Sequence, residues 1–153
     1  MSAALRERAE QWISDDPDEQ TRDELTSLVA TAEKDDAAAA ELADRFRGTL
    51  EFGTAGIRGE VAAGPNRMNR VVVTRAAAGL AAYLKETVTT GTVVVGYDAR
   101  HKSDVFARDT AEVMRGAGLD AVVLPRPLPT PLLAFAIGHL GCIAGVMVTA
   151  SHN

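Results

Sequence analysis

The stretch Cys142-Ile143-Ala144-Gly145-Val146-Met147-Val148-Thr149-Ala150-Ser151-His152-Asn153 decides the fold. Its apolar half, Cys142 to Val148, is short and rich in branched side chains, so it reads as a strand buried on both faces. It stops abruptly in small polar residues. In open α/β sheets ligands bind just beyond the carboxyl ends of strands, which is where Ser151 falls. A serine, a histidine and an amide at the rim of a sheet form either a chemical site or an ordinary polar loop, and this run alone leaves both readings open.

Working outward, the same alternation recurs. Leu119 to Leu124 and Thr92-Val93-Val94-Val95 are expected strands, and Ile57 to Val61 is expected as the first of the series. Asn69 is placed to cap a helix in which Val72, Ala76, Leu80, Tyr83 and Leu84 keep helical spacing, and Gly79 within it suggests close packing against a neighbour. Ser103 is expected to cap the next helix, whose Phe106, Thr110, Val113, Met114 and Ala117 share a face and which Gly116 or Gly118 ends. Pro125-Arg126-Pro127-Leu128-Pro129 excludes helix and central strand. Thr130-Pro131 then starts a helix that is apolar nearly all round and is expected to be well buried. Strands alternating with helices of this length imply an α/β fold, a three-layer α/β/α domain over residues 48–153 with a mostly parallel, four-stranded sheet.

Residues 1–47 read differently, as a helical N-terminal arm. Leu5, Ala9, Trp12 and Ile13 fall on one helical face. Asp16, Pro17 and Glu19 supply a cap, a first-turn proline and a reciprocal carboxylate for a second helix through Leu25, Leu28 and Val29. A third is expected to start at Asp35 or Asp36 and to carry Leu42 and Phe46. The arm holds 13 acidic and 6 basic side chains, against 8 and 10 in the rest, so the acidic excess behind the net charge of −5 sits in the arm and the rest is slightly basic. It has no convergent polar constellation and is expected to pack without doing chemistry.

Scattered arginines and 5% aromatics argue against nucleic acid, while a small anionic ligand remains compatible. The single cysteine, Cys142, lies in the apolar run and reads as a small core residue. A charged N-terminus without an apolar signal core, and no apolar stretch long enough for a bilayer, lead to the expectation of a cytoplasmic chain with no membrane contact.

Two further polar clusters accompany Ser151. Phe52-Gly53-Thr54-Ala55-Gly56-Ile57-Arg58-Gly59 lets backbone amides approach an anion, and Arg58 adds a fork suited to phosphate or carboxylate. Its glycine spacing is neither the dinucleotide fingerprint nor the P-loop. Gly96-Tyr97-Asp98-Ala99-Arg100 follows a strand, and Asp98 with Arg100 either pins loops as an ion pair or touches ligand; the need to fix loops at a sheet's end favours the first. His139 reads as a helix-terminal side chain, and His101 as a loop residue without a partner. The strand-end loops and the glycine-arginine loop are expected to share one rim.

A serine hydrolase does not fit. Glycines do not flank Ser151 as a nucleophile elbow requires, and adjacent side chains on an extended segment point apart, so His152 is badly placed to take the serine's proton. Phosphoryl transfer through a phosphoserine fits better, since arginine and backbone amides can neutralise the phosphate. Mg²⁺ would need carboxylates, and Asp98 is the one aspartate near a strand end.

The three clusters, in order, resemble three motifs of the α-D-phosphohexomutase superfamily, and Thr149-Ala150-Ser151-His152-Asn153 is highly specific among them. Arg45-Phe46, Leu50-Glu51-Phe52, Gly64-Pro65 and Arg67-Met68-Asn69 are most similar to the branch of phosphoglucomutases and phosphopentomutases with a helical N-terminal arm. The resemblance implies domain I of a four-domain, Mg²⁺-dependent enzyme, with a mixed sheet, that moves phosphate between positions of a sugar through a bisphosphorylated intermediate, a bisphosphorylated sugar being its activator. It implies that Ser151 is the phosphorylated serine and a metal ligand through its phosphate. It also implies that Arg58 and Thr54 contact phosphate, that His152 neighbours the reaction and assists proton transfer, and that Asp98 and Arg100 support the loop.

The family's Asp-rich metal loop, sugar-recognition loop, final phosphate-binding domain and a lysine shortly after the serine motif do not occur in these 153 residues. The chain is therefore expected to be a fragment, inactive alone, whose partners are a phosphosugar and the remaining domains if these are separately encoded. The alternative is a non-catalytic domain that docks onto a partner through the exposed flank of its sheet.

Overall fold

The computed structural model describes residues 1–149; Ala150, Ser151, His152 and Asn153 lie outside the described residues. Contacts divide the chain into two units, Met1–Val72 and Val73–Asn153.

Short polar caps start the helices of the first unit. In α1 (Ala3–Asp15) the Ser2 hydroxyl accepts the Leu5 N–H at 3.2 Å, and in α3 (Asp36–Arg45) the Asp35 carboxylate accepts the Ala38 N–H at 2.8 Å. For α2 (Glu19–Thr31) the cap is Asp18, not the expected Asp16. Asp16 instead ends α1 and turns its carboxylate onto the Asp18 N–H at 2.9 Å and the Thr21 hydroxyl at 2.7 Å, which satisfies a buried acid where a cap would leave it in water. The apolar faces close on a core of Ala9, Trp12, Leu25, Val29, Leu42 and Phe46. Trp12 and Phe46 meet edge to face, with ring centroids 6.2 Å apart.

The expected strand from Ile57 to Val61 does not form. Its first residue joins a hairpin, β1 (Phe52–Gly53) antiparallel to β2 (Gly56–Ile57), and Val61 makes an isolated bridge to Met68. From Glu60 onward the backbone bonds to Met68 instead, with Met68 N–H on the Glu60 carbonyl at 2.7 Å and Ala62 N–H on the Met68 carbonyl at 3.2 Å. Asn69 does cap α4 (Arg70–Thr87), accepting the Val72 N–H at 3.0 Å.

In the second unit β3 (Thr92–Tyr97), β4 (Asp120–Val123) and β5 (Ala144–Val148) form a parallel sheet in the order β4-β3-β5. Parallel neighbours need crossover helices, supplied by α5 (Ser103–Gly116) and α6 (Thr130–His139). Side chains on the central strand alternate. Val93 and Val95 pack with Ala77, Ala81 and Leu84 of α4 and Ala107, Ala111 and Met114 of α5, whereas Val94 packs with Leu133 and Ala136 of α6. The layers are therefore α/β/α, as expected. The sheet has three strands among the described residues rather than four, and all three are parallel.

Other expectations change for reasons of packing. Tyr83 is 62% exposed, and Ala77 and Ala81 take the inner positions of α4. A Cβ on Gly79 would meet nothing within 4 Å, so no neighbour presses on it. Only Leu133 and Ala136 of α6 are buried, leaving Phe135 64% exposed, because a helix on one face of a sheet can bury only one stripe. Each residue of β5 is half-buried, not buried on both faces, since the strand pairs along one edge alone among the described residues. No helix among the described residues is long and apolar enough to cross a membrane.

Candidate functional site

The glycine-arginine segment folds as a tight hairpin of the first unit. Phe52 pairs with Ile57 and Gly53 with Gly56, so Thr54 and Ala55 form the turn, and Gly56 adopts φ +89°, a value that favours glycine. The hairpin stands out from its unit, with Phe52 81% exposed and Thr54 also exposed. Among the described residues Arg58 has no hydrogen-bond or ion-pair partner, so its guanidinium is open to an anion from solution.

Asp98 organises the carboxyl end of the sheet in the second unit. It follows β3 directly, and its N–H donates to the Val148 carbonyl at 3.0 Å. One carboxylate oxygen accepts the Ser103 hydroxyl at 2.6 Å and the Arg100 N–H at 3.1 Å; the other accepts the Thr149 hydroxyl at 3.0 Å. Arg100 Nε lies 3.7 Å from that second oxygen, with its side chain more than half exposed. A single carboxylate thus ties together the loop after β3, the first turn of α5 and the residue after β5. Ser103 does not cap α5, as the sequence suggested: Lys102 occupies that position in the left-handed region at φ +62°, and the serine turns its hydroxyl to Asp98.

Sequence reasoning does not single out Thr149 as a partner of Asp98. The register pairs Tyr97 with Val148, which makes Asp98 and Thr149 the next residues on neighbouring parallel strands. The signal that finds the pair is strand adjacency. Ser151 and His152, the expected phosphoryl carrier and its neighbour, lie outside the described residues. Thr54 and Arg58 belong to the first unit, and Asp98, Arg100 and Thr149 to the second. His139 sits in the last turn of α6 with its ring stacked on Phe135, centroids 5.1 Å apart. Cys142 is half-buried against the Val94, Leu133 and Ala136 cluster. Among the described residues no group of three or more His, Cys, Asp or Glu side chains converges to hold a metal ion.

Residues 49–153 match the family model described as phosphoglucomutase/phosphomannomutase, alpha/beta/alpha domain I. A Haemophilus influenzae protein named as a probable phosphomannomutase is 63% identical over 86 residues, 56% of this chain and 18% of its own length. A Schizosaccharomyces pombe protein named as a probable phosphoribomutase is 40% identical over 156 residues, an alignment that takes in 100% of this chain, arm included, and 26% of that protein. The crystal structure of a protein named as a phosphomannomutase from Thermus thermophilus superposes with a TM-score of 0.64 at 42% identity, over 69% of this chain and 23% of that one. The chain spans about a fifth to a quarter of the length of the relatives it matches.

Proposed function

Because this chain belongs to the phosphoglucomutase/phosphomannomutase family and carries its α/β/α domain I, we propose that it is the phosphoserine-bearing part of a phosphosugar mutase. Such an isomerase moves a phosphoryl group between two positions of a hexose or pentose phosphate. Ser151 is the carrier. A hydroxyl of the phosphosugar attacks the phosphorus on Ser151, the bond to Oγ breaks, the hydroxyl proton passes to a neighbouring base, Oγ takes up a proton to become the free serine hydroxyl, and a bisphosphorylated sugar forms. The reverse step at the other phosphate regenerates phosphoserine, so one activator molecule primes many turnovers.

In this reading Arg58 and Thr54 grip a phosphate, the arginine through paired N–H groups, and His152 stands beside the reacting oxygen to assist proton transfer. Asp98 and Arg100 act at one remove, by holding the loops. Mg²⁺ would neutralise phosphate charge through the Ser151 phosphate. The described residues do not by themselves build a site for it, so no step is assigned through the metal. The partners are the phosphosugar and the remaining domains of the enzyme, and the compartment is the cytoplasm.

The observation that carries the proposal is the bond from Thr149 to Asp98, which fixes the start of the Thr-Ala-Ser-His-Asn motif at the carboxyl end of a parallel sheet, where α/β proteins bind ligands. Alone, the chain is expected to give no conversion of glucose 1-phosphate or ribose 1-phosphate in the presence of Mg²⁺ and glucose 1,6-bisphosphate. The test exchanges this chain for the matching segment of the S. pombe relative. The chimera should turn over a phosphosugar and Ser151→Ala should abolish it. A folded chimera that works equally well with alanine at 151 would reject the reading.

A further inference from the structure

The helical arm takes no part in the proposed chemistry, yet its polar face is wired into the segment that carries Arg58. Arg45, at the end of α3, donates from Nε to Glu41 at 2.8 Å and from a terminal nitrogen to Glu24 of α2 at 2.6 Å. Arg67, buried in the loop after the hairpin, donates to the same Glu41 oxygen at 3.1 Å and to Asp44 at 2.8 Å. Glu41 therefore joins an arginine of the arm to an arginine of the loop.

The backbone follows the side chains. The Asn66 N–H donates to the Arg45 carbonyl at 3.0 Å, its side-chain amide donates to the Asp44 carbonyl at 3.0 Å, and the Ala63 N–H donates to Glu24 at 3.2 Å. Gly64 approaches so closely that a Cβ there would lie 3.1 Å from Arg45 Cβ, and its φ of +110° favours glycine. Loop 60–69 is thus laid directly on α3.

Both ends of the hairpin rest on that loop. Before β1 the Leu50 N–H donates to the Pro65 carbonyl at 3.1 Å; after β2 the Glu60 carbonyl accepts the Met68 N–H at 2.7 Å. A Cβ on Gly59 would fall 2.7 Å from Leu50 Cδ1, so the two ends also touch each other. Arg67 Nε lies 3.9 Å from Glu60, the first residue past the glycine-arginine segment. Shifting α3 would shift residues 50 and 60, and the hairpin spans the gap between them.

We propose that the Arg45–Glu41–Arg67 lattice makes the helical arm a positioning element for the phosphate-gripping hairpin, setting where Arg58 meets its anion. The inference rests on Arg58 being a phosphate contact. Arg45, Glu41 and Arg67 are positioning residues, since none of them needs to touch the phosphate.

The test uses the full 153-residue chain, isotopically labelled, with inorganic phosphate as probe and the Arg58 side-chain resonance as reporter, at a temperature where circular dichroism shows every variant folded. Glu41→Ala should speed amide exchange at Leu50, Ala62 and Met68 about tenfold, the scale of one charged hydrogen bond, and weaken phosphate binding at Arg58 severalfold. Glu41→Gln, which keeps shape and an acceptor, should do both to a smaller extent and serves if the alanine variant fails to fold. Faster exchange with unchanged phosphate affinity would overturn the proposal, because the lattice would then only hold the loop. Unchanged exchange would overturn it too. If Arg58→Ala itself leaves the phosphate affinity of the chain unaltered, the phosphate reading fails first and the inference falls with it, a result distinct from either of the others.

Discussion

Thr149 donates its hydroxyl to Asp98 at 3.0 Å across 51 residues of sequence, and the same carboxylate accepts the Ser103 hydroxyl and the Arg100 N–H. Thr149→Val keeps shape and removes one donor, and is expected to cost about 1 kcal/mol; Asp98→Ala removes the shared acceptor and is expected to cost about 2–3 kcal/mol. Urea unfolding of the two variants and their double mutant checks this. Additive losses would show that the two side chains do not couple.

Acid should loosen the first unit through the arm lattice. The Arg45 hydrogen bond, helped by Arg67, holds Glu41 below its ordinary value of 4.5, and the Arg67 hydrogen bond holds Asp44 below 3.8, with partial burial opposing both shifts. Burial pulls Arg45 and Arg67 down, but their carboxylate partners outweigh it and raise both. Depressed carboxylates contribute stability that is complete above the ordinary values and is lost as pH falls through the folded ones. Glu41→Gln should therefore be less stable than the parent at about pH 7, with the gap closing as pH falls below 4.5. A gap that stays constant in thermal melts across that range would contradict the sign.

Two glycines should respond in opposite directions to alanine. On Gly145 of β5 a Cβ would lie 2.6 Å from Ile137 Cδ1 and 2.8 Å from Cγ1, so Gly145→Ala forces the Ile137 side chain of α6 to move and should destabilise by about 1–3 kcal/mol. Gly79 lies within α4 with open space around it, so Gly79→Ala should stabilise by up to about 1 kcal/mol through helix propensity. Paired denaturation curves decide both.

The two sides of α6 should behave as core and surface. Leu133 packs against Val94 and Ala136, and Leu133→Ala is expected to cost about 2–5 kcal/mol. Phe135, two residues on, is mostly exposed and stacks only on His139 among described ring partners, so Phe135→Gln should stay within about 1 kcal/mol of the parent in urea unfolding. Comparable losses at the two positions would mean that the outer face is covered in solution.

Much of this protein was determined by its sequence alone. Apolar runs at residues 92–95, 119–124 and 142–148, separated by helical periods, located the three parallel strands to within two residues at each end, since burial on a strand or helix depends on local spacing, whereas the run from Ile57 to Val61 did not become a strand of that sheet. Arg58 in its glycine-rich segment and Ser151 beyond a strand end pointed to phosphate chemistry, and Asp98 to the fixing of a loop, each from its local setting. Only the tertiary structure decided what depends on neighbours distant in the chain: that Asp16 and Ser103 turn to acceptors and donors other than their helix ends, that Thr149 meets Asp98, and that Arg45 and Arg67 share Glu41. A polar side chain takes whichever partner satisfies it once water is excluded, and that partner is set by which elements pack side by side. Exposure follows the same logic, because α6 is apolar all round in sequence but has one sheet to lie on.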